Sequence, residues 1–232
     1  MTGDASRREK VQAVLFSLIM VVSMVGIGAA GFAGSAAAQS ADAGTTEISD
    51  WNDLQGIGSQ GDYVLVNDLN DTTDGYSTVV ESGGFTPVFL FGGTLDGNGY
   101  VIEDLVIETA PELGGSGLFA QVGSGVEIRN VGVENVDIDV DGNNVGALVG
   151  TTDGSRGKVV ISGSYATGTV KGNGDVGGLV GKANVETTIT DSFADVDVTG
   201  DTNGRARGVG GLVGTNTGAV GDNGPATIQN SY

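Results

Sequence analysis

The run Asp137-Ile138-Asp139-Val140-Asp141-Gly142 sets three carboxylates at alternate positions ahead of a glycine. That order opens a calcium loop, in which alternate oxygen ligands wrap a hard cation and glycine allows the sharp turn. The rest of the twelve-residue pattern fails. Leu148 stands where a bidentate glutamate closes such a loop, and Asn144 where an apolar residue is usual. Period-two alternation explains the run more simply: Val136, Ile138 and Val140 face inward from a strand while the aspartates face water. Asp195 and Asp197 repeat the alternation. No metal ligands are assigned.

Hydrolytic chemistry fares no better. Glycoside hydrolysis needs two carboxylates at a set separation across a groove, and aspartates are so plentiful that no pair stands out. Lyase chemistry needs a base and cations that neutralise an acidic sugar. Arg129, Arg156 and Lys158 are the sparse options, and none lies in a motif. With no cysteine, thiol catalysis, disulfides and cysteine metal sites are excluded. The expectation is therefore a non-enzyme without catalytic residues, cofactor or metal. Asn70-Asp71-Thr72 is the single Asn-x-Ser/Thr acceptor; it sits in a polar stretch expected to be exposed, which makes Asn70 the candidate glycosylation site.

The elements that would position any such residue are dictated by an internal repeat. Gly117-Leu118-Phe119-Ala120, Ala147-Leu148-Val149-Gly150, Gly178-Leu179-Val180-Gly181 and Gly211-Leu212-Val213-Gly214 recur at a period of 30 to 33 residues. Each is followed by an isoleucine (Ile128, Ile161, Ile189 and Ile228), and the last three of these run on to Ser-Tyr or Ser-Phe. A fixed period of this length signals one unit stacked on itself. Within a unit the apolar residues form short β-branched runs broken by glycine, which suits strands and opposes helix. Three short strands in about 30 residues make one coil of a parallel β-helix, each strand pairing with its counterpart one coil on.

The spacing predicts an inward ladder of Leu118, Leu148, Leu179 and Leu212, a second of the four isoleucines, and an aromatic stack of Tyr165, Phe193 and Tyr232. Two residues after each isoleucine stands Asn130, Gly163, Asp191 or Asn230. These types tolerate the left-handed conformation that a corner requires. The segments 151–158 and 215–226 read as insertions that protrude as loops, where a binding surface would vary.

Charge bounds the setting. The chain carries 29 acidic and 10 basic residues, no histidine and a formal charge of −19. Such self-repulsion burdens a compact fold in dilute buffer, and molar salt screens it. An acidic, lysine-poor chain of this kind suits the exterior of a halophile and makes nucleic acid a poor partner. At the N-terminus Arg7, Arg8 and Lys10 precede an uncharged stretch that closes on Ala36-Ala37-Ala38 before Gln39. This predicts a secretory signal cut between Ala38 and Gln39; an uncleaved membrane span is the alternative. Further on, Ile48, Trp51 and Leu54 sit at helical spacing with Ser49 or Asp50 available as N-cap. A short helix followed by a strand over Tyr63–Val66 would cap the open end of a stack.

The repeats resemble the GLUG motif of bacterial and archaeal surface proteins, through 145–150, 161–170, 176–181, 189–198 and 209–214. Residues 91–102 and 61–69 are similar to segments that accompany such repeats, and the first 38 residues resemble the signal peptide of haloarchaeal surface glycoproteins. The resemblance implies a right-handed β-helix at the cell surface and carries no catalytic residue to transfer. The expected organisation is a signal peptide over 1–38, an N-terminal cap and first coils over 39–110, and repeats over 111–232, the last copy incomplete, as in a fragment of a longer chain. The expected function is a secreted or surface structural, adhesin-like module. Its partner would be a cell-envelope glycoprotein or polysaccharide, with membrane contact only through the signal segment or a C-terminal anchor outside this sequence. A carbohydrate-active β-helix enzyme is the alternative.

Overall fold

A computed structural model describes residues 44–112, 114–153, 157–201, 207–217 and 226–232. They form a parallel β-solenoid of about five turns. One seven-stranded parallel sheet holds, in spatial order, Thr45–Ile48, Asp62–Leu65, Thr94–Asp96, Glu127–Arg129, Val159–Ser162, Thr187–Thr190 and Thr227–Gln229. A second comprises Val101–Glu103 with Val106–Ile107, then Gly132–Asp139, Tyr165–Gly172 and Phe193–Gly200. A third stacks Phe119–Val122, Val149–Thr152, Val180–Ala183 and Val213–Asn216. A short pair, Asp175–Gly177 with Gly208–Gly210, is extended by bridges from Val176 to Val145 and from Val145 to Ser116. No helix among the described residues is long and apolar enough to cross a membrane.

The ladders fall where the spacing places them. Ile128, Ile161, Ile189 and Ile228 are in register, and Leu95 and then Tyr63 continue the column in the other direction. Backbone bonds align the leucines: the Leu148 N–H donates to the Leu179 carbonyl at 3.1 Å, and the Leu179 N–H to the Leu212 carbonyl at 2.9 Å. Leu118, Leu148 and Leu179 are fully buried. Tyr165 stacks on Phe193 at 4.9 Å between ring centroids and Phe193 on Tyr232 at 5.4 Å, the planes of each pair nearly parallel. Asn130, Asp191 and Asn230 hold φ between 51° and 55°, and Gly163 holds 56°, so the corner residues are left-handed as their types predict.

The tetrapeptide itself has a steric cause. A Cβ on Gly181 would lie 2.5 Å from the Val145 backbone nitrogen, and one on Gly150 would lie 2.5 Å from that of Ser116. Two strands of adjacent faces thus meet backbone to backbone at this column, and a side chain would force them apart.

Four expectations are corrected. Ile48 belongs to the strand Thr45–Ile48, not to a helix; the helix is Trp51–Gln55, capped by Asp50, whose carboxylate accepts the Asn52 and Asp53 N–H groups at 2.8 Å. Pairing with Asp62–Leu65 claims Ile48 because that strand offers a full set of backbone partners. The strand expected over Tyr63–Val66 lies one residue earlier. The insertion expected over 151–158 is shorter: Thr151 and Thr152 are buried in the strand Val149–Thr152, where the Thr152 hydroxyl sits 3.2 Å from that of Thr187. Likewise Thr215 and Asn216 complete the strand Val213–Asn216. Residues 154–156 and 218–225 lie outside the described residues.

Candidate functional site

With the inward positions taken by apolar ladders, any binding chemistry must lie on the outward faces and at the corners. In the second half of Gly132–Asp139 the alternation is strict: Val136 and Ile138 are buried, Asp137 and Asp139 exposed. Asp141 is exposed beyond the strand. The calcium-like run is therefore an ordinary strand face, and among the described residues no three carboxylates converge to hold a metal.

How these carboxylates are tolerated is the more informative finding. Along the outward columns, rungs about 4.8 Å apart would set like charges in contact. The column Asp137–Thr169–Asp197 separates two carboxylates by a hydroxyl. Elsewhere the neighbouring coil supplies an amide or a cation. Asn130 donates through Nδ2 to Asp96 at 3.3 Å, Asn173 to Asp141 at 3.4 Å and Asn230 to Asp191 at 3.1 Å. The Asn135 amide makes a short bond to Asp104, and Lys171 Nζ reaches Asp139 at 2.8 Å. Where Glu103 does lie beside Glu134, the Tyr165 hydroxyl donates to Glu134. Burial and that contact push the Tyr165 phenol far above its ordinary range, so it stays a donor.

The serine of the Ser-aromatic signature has a related task. The Ser164 and Ser192 N–H groups donate to Oγ of Ser192 and Ser231, each at 3.2 Å, one coil on. Each hydroxyl in turn donates to the carbonyl two residues back: Ser162, Thr190 and Gln229 at 2.9, 2.8 and 2.7 Å. A serine spine thus gives the corner N–H groups of Ser164 and Ser192 their acceptors, and adds a second bond to carbonyls that already accept a backbone N–H from the adjacent coil. Sequence reading found the serines without the role; recurrence ahead of an aromatic was the available signal. In the first copy Val131 replaces serine: its N–H donates to Ser164 Oγ at 3.4 Å and its carbonyl accepts the Tyr165 N–H at 3.0 Å, but it has no hydroxyl to offer. Gly132 beside it leaves the space that the Tyr165 ring fills.

One polar cleft of about 570 Å³ opens beside the second sheet, lined by Asp71, Tyr76, Glu81, Asp104, Asn135 and Asp137 among others. Backbone irregularity creates it. Asp104 and Asn135 are left-handed, and a bulge at Ala166/Gly168 brings Gly168 so near Val136 that a Cβ would lie 2.3 Å from its carbonyl oxygen. The Tyr76 hydroxyl donates to the Asp104 carbonyl at 3.3 Å. Burial first, then Asp104, Glu81 and Asp71, raise its pKa and keep it protonated. Four carboxylates and no cation line this space, so it suits hydroxyl-rich or cationic groups and repels acidic ones.

The other candidate residues disperse. Ala38, Gln39 and Arg156 lie outside the described residues. Asn70 is half-buried: its Oδ1 accepts the Thr72 N–H at 3.0 Å and the Thr72 hydroxyl at 2.6 Å, and its carbonyl accepts the Trp51 indole N–H at 2.9 Å. The acceptor tripeptide is a turn tied to the core. Arg129 is locked between Asp96 at 2.9 Å and Glu127 at 2.8 Å. Burial works against its charge, but the two carboxylates prevail and raise its pKa. Lys158 is exposed, just ahead of the strand Val159–Ser162.

No protein-family profile matches the chain. Over 154 residues, 66% of its length, it is 34% identical to Halomucin from Haloquadratum walsbyi, of which it spans only 2%. Among solved structures it is similar to a candidate immunoglobulin A1 protease from Bacteroides ovatus, with 16% identity and a TM-score of 0.44, covering 80% of this chain and 74% of that one. At that TM-score the likeness carries no argument.

Proposed function

We propose that the chain is a secreted or cell-surface structural module, adhesin-like in use, that displays polar faces and loops on a stiff solenoid to a cell-envelope glycoprotein or polysaccharide. The observation that carries this reading is the division of every coil. Inward positions hold packing ladders, and several outward carboxylates are engaged by an amide, a lysine or a tyrosine of the next coil, so those that could do chemistry help to hold the stack. The similarity to Halomucin supports surface placement, and the GLUG likeness of the repeats agrees with it. Residues 1–38 would act as the signal, removed between Ala38 and Gln39, and Asn70 would carry the glycan. Expression in a haloarchaeal host tests these points together. An exported chain beginning at Gln39, with a mass increment lost in Asn70→Gln, is the expected result; an intact chain retained in the cytoplasm would refute surface placement.

Salt supplies a second test. Amide pairing relieves contact repulsion only, and the net charge of −19 still acts at long range until salt screens it. Lowering salt from molar to millimolar is expected to lower Tm; an unchanged Tm would refute adaptation to high salt.

The polar cleft favours one other reading, a carbohydrate-active enzyme that binds neutral sugars over Asp104 and Asp137. Turnover of a neutral polysaccharide that is abolished by Asp137→Asn would establish it in place of the structural assignment.

A further inference from the structure

Two large apolar side chains stand outside the ladders. Among the described residues before the strand Gly208–Gly210, only Phe89 and Leu90 are large, apolar and exposed, at 45% and 46%. Backbone geometry puts both on the outward side. Val88 bridges to Phe119 and Phe91 to Val122, and Val88 and Phe91 are buried, so the two residues between them face out together. Leu90 makes this possible by holding φ at 55°, a left-handed conformation that leucine rarely adopts. Regular alternation would have turned it inward.

Beside Phe89 lies a pit of about 490 Å³, lined wholly by residues between Gly83 and Glu112, with Phe85, Thr86, Pro87, Thr109 and Pro111 among them. That volume falls in the range of small-ligand sites, roughly 300–1,000 Å³. Its walls are fixed in advance. The Phe85 N–H donates to the Val106 carbonyl at 2.7 Å, and the Val88 N–H to the Leu118 carbonyl at 3.0 Å. The Gln55 side-chain amide donates to the Thr86 carbonyl at 2.9 Å and accepts the Thr86 N–H at 3.1 Å. The Phe89 ring lies against Gly114, where a Cβ would come within 3.4 Å of its edge. A pit held this way loses little freedom when it is filled.

Its chemistry is unlike that of the polar cleft. No charged residue occurs between Glu81 and Asp96, and Glu112 is the single carboxylate of the lining. The Thr86 and Thr109 hydroxyls and the Glu112 carboxylate have no partner among the described residues. The face of an aromatic ring is electron-rich and attracts polarised C–H groups. A sugar ring offers such C–H groups on its apolar face and hydroxyls around its rim, which matches one ring and two prolines beside three free polar groups. A protein partner fits worse: a stable interface needs about 1,000 Å² and would spread onto Glu81, Asp96 and Glu108. An acidic sugar would meet Glu112 on a chain of net charge −19.

We propose that this pit binds a neutral saccharide, with one pyranose ring stacked on Phe89 and its hydroxyls bonded to Thr86, Thr109 and Glu112. The proposal rests on the surface-module reading for the class of partner alone, and binding by the purified full chain tests it apart from export. Titration calorimetry in molar potassium chloride, with cellotetraose, maltotetraose and mannotetraose as neutral probes and tetragalacturonate as the acidic one, reads the affinity. At least one neutral probe is expected to bind, with tetragalacturonate at least about tenfold weaker. Phe89→Ser and Thr109→Val are each expected to weaken binding about tenfold, while Asp197→Asn on the second sheet leaves it unchanged. All three side chains are exposed, and an unchanged circular dichroism spectrum confirms the fold. Binding retained by a chain that is not exported would refute surface placement and still support the site. No binding of any neutral probe, affinity indifferent to both Phe89→Ser and Thr109→Val, or tetragalacturonate bound as tightly would each overturn the proposal. A loss confined to Asp137→Asn would overturn it by placing the sugar in the polar cleft. A dimer that Phe89→Ser dissolves, with no saccharide bound, would overturn it by giving the pit to a second copy of the chain.

Discussion

Between the isoleucine column and the aromatic column, the repeats turn their corner from Ile161 to Tyr165 and from Ile189 to Phe193, through one left-handed residue and one serine. The equivalent corner in the preceding segment runs from Leu95 to Val101, two residues longer, through Asn98 and Gly99, both at positive φ. The interiors differ as well. Repeat coils place like on like, isoleucine over isoleucine and aromatic over aromatic. Residues 44–112 pack unlike side chains: Trp51 edge-on to Tyr76 and Phe85 at 5.4 and 6.5 Å, and Tyr63 tilted against Phe91 at 6.1 Å. Both build the same sheets. A ladder spreads its packing over many equal contacts between neighbours, whereas the Trp51 cluster concentrates it in a few large side chains that nothing else in the chain duplicates.

The largest effect should come from breaking that concentration. Trp51→Ala removes a fully buried ring and its hydrogen bond to Asn70, and is expected to cost about 4 kcal/mol. Leu179→Ala, which leaves ladder neighbours above and below, is expected to cost about 3 kcal/mol. Thermal unfolding in molar salt reads both. One transition shifted in each variant means the two regions melt as one unit; a Trp51→Ala chain that loses an early transition and keeps the rest would divide the molecule.

This contrast also explains what could be read from the residues. The Leu118–Leu212 and Ile128–Ile228 columns were legible because a period repeats one steric environment. The left-handed corners followed from the few residue types that accept them. Coils before Leu118 were expected, but their register was not legible: Tyr63 and Leu95 share a column with Ile128 but no neighbouring sequence, and Val88 and Phe91 bridge to Phe119 and Val122 from a stretch with no tetrapeptide. Ile48 at helical spacing from Trp51 and Leu54 satisfied two patterns, and only the strand it pairs with decides between them. The polar cleft was invisible because it arises from a bulge at Gly168, a register shift rather than a motif.

The serine spine gives the next effect within the repeats. Ser192→Ala strips the Ser164 N–H of its acceptor in a buried corner and removes the donor to Thr190, at an expected cost of about 2 kcal/mol. Ser231→Ala removes the same bonds at the exposed end, where water replaces them, and should cost less than half as much. Equal losses at the two positions, measured by denaturant midpoint, would mean that the spine is incidental to corner stability.

One position breaks the ladder rule in the stabilising direction. Ser116 lies in register with Val145 and Val176, is fully buried, and its hydroxyl has no partner among the described residues. Ser116→Val would extend the valine column over Gly142, whose missing side chain leaves the room. An expected gain of about 1 kcal/mol follows from removing an unsatisfied hydroxyl and adding apolar burial. A loss instead would show that this first rung is too tight to accept the ladder residue of later coils.

The smallest effect lies at the exposed helix start of the non-repetitive segment. Asp53 accepts the Ser49 N–H at 3.0 Å and the Ser49 hydroxyl at 2.8 Å, while Asp50 caps the helix from the other side. These bonds hold the Asp53 carboxyl below its ordinary value of 3.8, with the Ser49 backbone bond the leading cause. A carboxyl lowered in the folded state adds stability above its unfolded pKa, and that contribution disappears as pH falls through the folded one. Solvent exposure limits it to about 0.5 kcal/mol. Asp53→Asn should therefore be slightly less stable than the parent at pH 7, and the gap should close on acidification below about pH 4. In the ladder coils Asp141 and Asp191 instead meet amides of the next coil, Asp139 a lysine and Glu134 a tyrosine hydroxyl. A gap that stays constant from pH 7 to pH 3 would place the Asp53 contribution in packing and remove this electrostatic difference between the two regions.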